Sequence, residues 1–108
     1  MTTPTDAPAN SWRGETTLRL GETAHVLRPS FAALVAAEDE LGPLFALVER
    51  ASAGELRLGE MVGLFWHCLA SREGQTRDAF AEAVAQAGLA ACTAPLRALL
   101  VQVLKGSA

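Results

Sequence analysis

Polar and apolar positions alternate with a period of two near the start of the chain. In "WRGETTLRLGETAHVLR", Leu18 and Leu20 fall on one side, with Thr17 and Arg19 on the other. Gly21-Glu22 interrupts the alternation and "TAHVL" resumes it, so a β-hairpin is expected from about Glu15 to Arg28. Two strands alone are only marginally stable in water, which requires this hairpin to lie on helices. After Pro29 the period changes to that of a helix. Ser30 is placed to cap a first helix that ends at Leu41, before Gly42. Pro43 suits the first turn of a second helix through about Ala51, and "SAGE" follows as a loop. A third helix is expected from about Leu58 to Ser71, broken by "REGQ". Thr76 caps a fourth that ends at Gly88, and Thr93 and Pro95 open a fifth that closes at Lys105. The fold class expected is α+β, mainly α: a short N-terminal hairpin packed on a bundle of four to five helices.

Three helices raise questions about what their apolar faces cover. At 100° per residue, Phe31, Leu34, Val35 and Leu41 form one stripe on the first helix. Glu38 falls in the middle of that stripe and Glu40 on the opposite side. A carboxylate among apolar neighbours requires a partner. The first reading is structural: an ion pair with Arg28 or Arg50, or a place at the solvent edge of the stripe. The second makes Glu38 part of a partner-binding groove. Asp39 and Glu40 are expected to complement the positive end of the helix that opens at Pro43. In the third helix, Met61, Val62, Leu64, Phe65, Trp66, Cys68 and Leu69 fill an arc of roughly 200°. Such width fits a central helix covered on two sides, or a face on which Phe65 and Trp66 await a partner, as aromatic anchors do. Leu96, Leu99, Leu100, Val103 and Leu104 of the fifth helix read as core, while the alanine-rich fourth has Phe80 and Val84 as its only large apolar residues and small side chains that let another helix approach closely.

Length and charge narrow the functional classes. The 108 residues suit one domain, and half of them are hydrophobic. Residues 1–11, with two prolines and three threonines, are expected to be a disordered tail, leaving 12–106 as the single domain. A net charge of −3 with one lysine, Lys105, argues against sequence-independent nucleic-acid binding. No apolar run reaches the 18 residues of a membrane span, and no secretory leader is recognisable, so a cytoplasmic location is expected. Cys68 and Cys92 are expected to be reduced and buried.

Candidate chemistry is sparse. His67 and Cys68 are adjacent, but neighbours on a helix diverge by 100° and cannot pair as base and nucleophile. Two histidines and two scattered cysteines give no metal-ligand spacing, and no phosphate-binding glycine loop is present. The expectation is a protein that is not an enzyme and takes no cofactor or metal. The short "SREGQT" turn between the third and fourth helices could imitate a helix-turn-helix. Its reader helix offers Arg77 alone against Asp78 and Glu82, so a DNA-binding regulator is a minor alternative.

The segment "LRPSFAALVAAEDELG" carries a family resemblance through Leu27, Arg28, Ser30, Ala33, Leu34, Glu38, Leu41 and Gly42. With "WRGE" at 12–15 and "LVER" at 47–50, it resembles the gene transfer agent and phage tail protein family, grouped with the tail assembly chaperones. The resemblance covers about residues 12–71. It implies a non-enzymatic factor of tail morphogenesis that binds the tape-measure protein, a long helical ruler, until tail-tube subunits enclose it. Some members are labelled tail-tube proteins, so a structural subunit that stays with the tail is the alternative. The partners implied are tail components, with no nucleic acid or membrane, and self-association stays open. Phe31, Glu38, Phe65 and Trp66 are the residues expected to meet a partner.

Overall fold

A computed structural model describes residues 14–106. The expected disordered tail at 1–11 lies outside the described residues. Strands β1 (Thr16–Leu20) and β2 (Thr23–Leu27) form an antiparallel hairpin. They are followed by helices α1 (Phe31–Leu41), α2 (Leu44–Ser52), α3 (Leu58–Cys68), α4 (Arg77–Ala87) and α5 (Leu89–Lys105). The register pairs Leu18 with His25 and Leu20 with Thr23. Leu18, Leu20 and Leu27 are buried beneath the hairpin, as the alternation requires. α5 and α4 pack against β1, while α3 lies under α1 and beside α4.

Local signals set most boundaries. The Ser30 hydroxyl accepts from the Ala33 N–H at 3.1 Å, and Thr76 accepts from the Ala79 N–H at 3.1 Å. Gly88 ends α4 and begins α5 with φ +90°, a backbone conformation that other residues enter only with strain. There the chain bends by 112°.

Two boundaries differ from expectation. α3 stops at Cys68 because Leu69 leaves the helix to bridge Leu27 of β2. The Arg28 N–H donates to the Cys68 carbonyl at 2.6 Å and the Ala70 N–H to the Val26 carbonyl at 2.9 Å. Sheet pairing thus replaces the last helical turn. α5 begins at Leu89, six residues before Pro95, which sits inside the helix. The missing Pro95 N–H removes one hydrogen bond near the helix start, and the fully buried Cys92 holds the extra turn on the core.

The core joins Leu18, Leu27, Leu47, Leu64, Phe65, Phe80, Val84, Cys92 and Leu99, and α3 supplies most of it. The reading of α3 as a central helix therefore holds for its apolar arc, of which only Trp66 stays half-buried. Both cysteines are free and buried, and burial pushes the Cys68 thiol pKa up to about 12. Among the described residues, no buried side-chain nitrogen or oxygen lacks a hydrogen-bond partner.

α1 does not lie as its apolar stripe implies. Its fully buried residue is Ala37, flanked by half-buried Ala33, Leu34 and Leu41. Phe31 is 85% exposed and Val35 39%. The helix is turned by roughly 100° from the orientation that would bury its largest side chains. Its alanine side faces α3, where Gly63 allows a close approach: a Cβ there would stand 3.2 Å from Leu41 Cδ2 and 2.9 Å from Arg77 Nη2.

This division of α1 and α3 sets a measurable contrast. Phe65→Ala should lower unfolding free energy by about 3–5 kcal/mol in urea titrations. Phe31→Ala, removing a larger share of exposed surface, should change it by no more than about 0.5 kcal/mol.

Candidate partner-binding surface

The three acids at the end of α1 have three different fates. Glu38 is exposed, and its Oε2 accepts the Leu44 N–H at 3.1 Å. That N–H belongs to the first residue of α2, whose N-cap, Pro43, offers no side-chain hydrogen bond. A helix leaves its first N–H groups without internal partners, and a carboxylate there also meets the positive end of the dipole. Of the two structural readings, the exposed Glu38 fits the solvent edge, and in place of an ion pair with Arg28 or Arg50 it makes a cap across the α1–α2 turn. Arg28 pairs instead with Glu15, and Arg50 with Glu60. Asp39 is exposed and in no ion pair among the described residues.

Glu40, expected to serve the α2 terminus, instead reaches over α3. Its Oε1 accepts from Arg77 Nη1 at 2.8 Å and lies 2.7 Å from His67 Nε2, while its Oε2 accepts from Arg77 Nη2. One carboxylate thus ties α1 to α3 and to the first residue of α4. The Arg77 guanidinium and then His67 hold its pKa down to about 2. Glu60 is likewise lowered to about 2, by Arg50 and by the Arg57 N–H at 3.0 Å.

With α1 anchored on that side, its opposite face is open. Phe31, Val35 and Glu38 stand at positions i, i+4 and i+7 of that face. Phe45 of α2 continues the strip and is 80% exposed. Leu34, Glu38, Leu44, Phe45, Val48, Val103 and Leu104 line a cleft of about 210 Å³ where α1, α2 and α5 meet. Leu104 is 56% exposed, so the outer edge of the α5 stripe faces solvent rather than core.

Of the four residues expected to meet a partner, Phe31 and Glu38 belong to this strip. Phe65 does not: it is fully buried, packed into the domain's own core, and out of reach of any partner. Trp66 lies elsewhere, half-buried between the Phe80 ring at 5.8 Å and the Arg72 guanidinium, 5.5 Å above its face. The sequence reading missed Phe45 and Leu104. For Phe45 a signal exists: Leu44, Leu47 and Val48 make the inward stripe of α2, and Phe45 falls off it.

Other sites give little chemistry. A groove of about 590 Å³ beside β2 is lined by His25, Ser71, Glu73 and Phe80 among others. His25 packs edge-on against Phe80 at 5.6 Å, and burial lowers its pKa. Among the described residues no cluster of three or more His, Cys, Asp or Glu could hold a metal ion. No single helix there is long and apolar enough to cross a membrane. The helix-turn-helix features are committed inside the fold. Arg77 is bidentate on Glu40, and Arg72 donates to the Trp66 and His67 carbonyls at 3.1 and 3.2 Å.

A family model described as phage tail tube protein, GTA-gp10, matches residues 13–106. The chain belongs to this family. Its role is therefore a phage tail-related one, structural or in assembly. No curated protein and no solved structure matches the chain. For a member of the GTA-gp10 family, contact with other tail components is the expected use of an exposed surface. The match spans all five helices, so the strip on α1 and α2 and its support from α4 belong to the family domain.

Two substitutions separate the acids. Glu38→Ala should cost about 1 kcal/mol in chemical unfolding through loss of the α2 cap. Glu40→Gln should cost about 0.5–1 kcal/mol at pH 7, since the carboxylate is 38% exposed and partly screened. Glu40 binds its proton less readily folded than unfolded, so its contribution is present above about pH 4.5. It fades as pH falls toward 2. Melts of wild type and Glu40→Gln should therefore converge over that interval.

Proposed function

We propose that this protein is a non-enzymatic tail assembly factor that binds the helical tape-measure protein and keeps its apolar stripes from associating. The observation that supports the reading is the exposure of Phe31 and Phe45, 85% and 80%, on neighbouring outward faces of a folded domain. Large apolar side chains grouped on a surface mark contact sites. Their aromatic rings suit the anchors of an interface that excludes water. The masking is stoichiometric: apolar faces here cover apolar stripes of the client, and no covalent bond changes. Assembly of this kind takes place in the cytoplasm, before or during tail growth.

A second reading, a structural subunit associated with the tail tube, is favoured by the description of the family as tail tube proteins. The same strip would then be covered permanently by a neighbouring tail component.

Co-expression with the tape-measure protein of the same tail cluster separates these readings. A chaperone should raise the soluble fraction of tape-measure protein severalfold and be absent from purified particles. Equal solubility with and without this chain would end the masking idea. Recovery of the chain from finished particles at ring-like copy number would favour the structural subunit.

A further inference from the structure

Resting on that reading of the strip, we infer that its occupant is an amphipathic helix whose apolar stripe is flanked by lysine or arginine. Phe31, Val35 and Glu38 follow the i, i+4, i+7 spacing along α1, a line of about 10 Å at 1.5 Å rise per residue. A straight helix laid along that line meets it with residues of the same spacing. Beyond Glu38 the line enters the cleft of about 210 Å³ between Phe45 and Leu104, which has room for an aliphatic side chain of the incoming helix.

The rim determines the charge of the partner. Glu38 and Asp39 border the strip on α1, and Glu49 stands one turn beyond Phe45 on α2. Asp39 and Glu49 are in no ion pair among the described residues. The cations of adjoining segments are engaged elsewhere, Arg28 with Glu15 and Arg50 with Glu60. Arg97 and Lys105, in no ion pair among the described residues, lie on α5; Arg97 lines an adjoining groove that shares Val48 and Leu104 with the cleft, on the side away from Glu38 and Phe45. Complementary charge around an apolar centre raises association rate and excludes wrong partners. Two copies of this strip placed face to face would instead oppose acid to acid, which disfavours a second copy as occupant.

Two synthetic 21-residue helical peptides test the assignment, sharing one leucine stripe and flanked either by lysines or by glutamates. By fluorescence anisotropy at low salt, the lysine peptide should bind the full chain at least tenfold more tightly. That preference should shrink in high salt. Phe31→Ser/Phe45→Ser should weaken lysine-peptide binding at least tenfold, and Asp39→Lys/Glu49→Lys should reverse the preference. All four positions are exposed, and circular dichroism checks that each variant keeps its fold. Equal or tighter binding of the glutamate peptide, no binding of either, or full affinity in the serine variant would overturn the inference. So would wild-type self-association that the serine variant abolishes, which would assign the strip to a second copy. Co-expression of the same variants with tape-measure protein keeps the two proposals distinguishable. If wild type fails to solubilise the client, the assembly role falls. If wild type and the serine variant succeed alike, only this surface assignment falls.

Discussion

The side of α1 that meets α3 is fixed by a small-residue contact and one shared carboxylate. Ala33 and Ala37 face α3, and Gly63 removes the Cβ that would push Leu41 and Arg77 away. Glu40 then closes over this contact onto Arg77 and His67. The helix meets α3 with its alanine side and keeps Phe31 and Val35 outward. Full burial of a large apolar side chain is worth about 1.5–3 kcal/mol, so an exposed phenylalanine forgoes a real stabilisation. The helix orientation that secures α1 therefore leaves its most hydrophobic side outside.

The exposed strip follows from that orientation, and the turn into α2 extends it. Glu38 caps α2 from the preceding helix and so helps set where α2 begins. α2 then buries Leu47 and Val48 and leaves Phe45 beside Glu38. The same carboxylate caps a helix and borders the exposed apolar strip.

Much of this fold was legible in the sequence. The alternation around Leu18 and Leu20 gave the hairpin, and Ser30 and Thr76 announced two helix starts. What periodicity could not show is which side of α1 is covered. It assigns the largest apolar residues to the core, whereas helices in close contact favour alanine and glycine. That choice depends on Gly63 and Arg77, 26 and 40 residues or so downstream of Ala37, and no local pattern connects them. The same distance hides why α3 ends early: Leu69 answers to Leu27, across the fold. Of the candidate residues, Phe31 was recognisable as a large apolar side chain at a helix start, while Phe65 was not distinguishable from an anchor until its burial was seen.

Thiol accessibility tests the outward orientation of α1 and the exposed start of α2 most directly. The native thiols of Cys68 and Cys92 are buried, so the background reaction of the folded chain is slow. Single substitutions Phe31→Cys, Ala37→Cys and Phe45→Cys would each be exposed to a maleimide under native conditions. The account expects the thiols at positions 31 and 45 to react nearly as fast as in the unfolded chain, and the thiol at 37 at least a hundredfold slower. Protection at 31 or 45 in the isolated chain, or equal reactivity at 37, would contradict it.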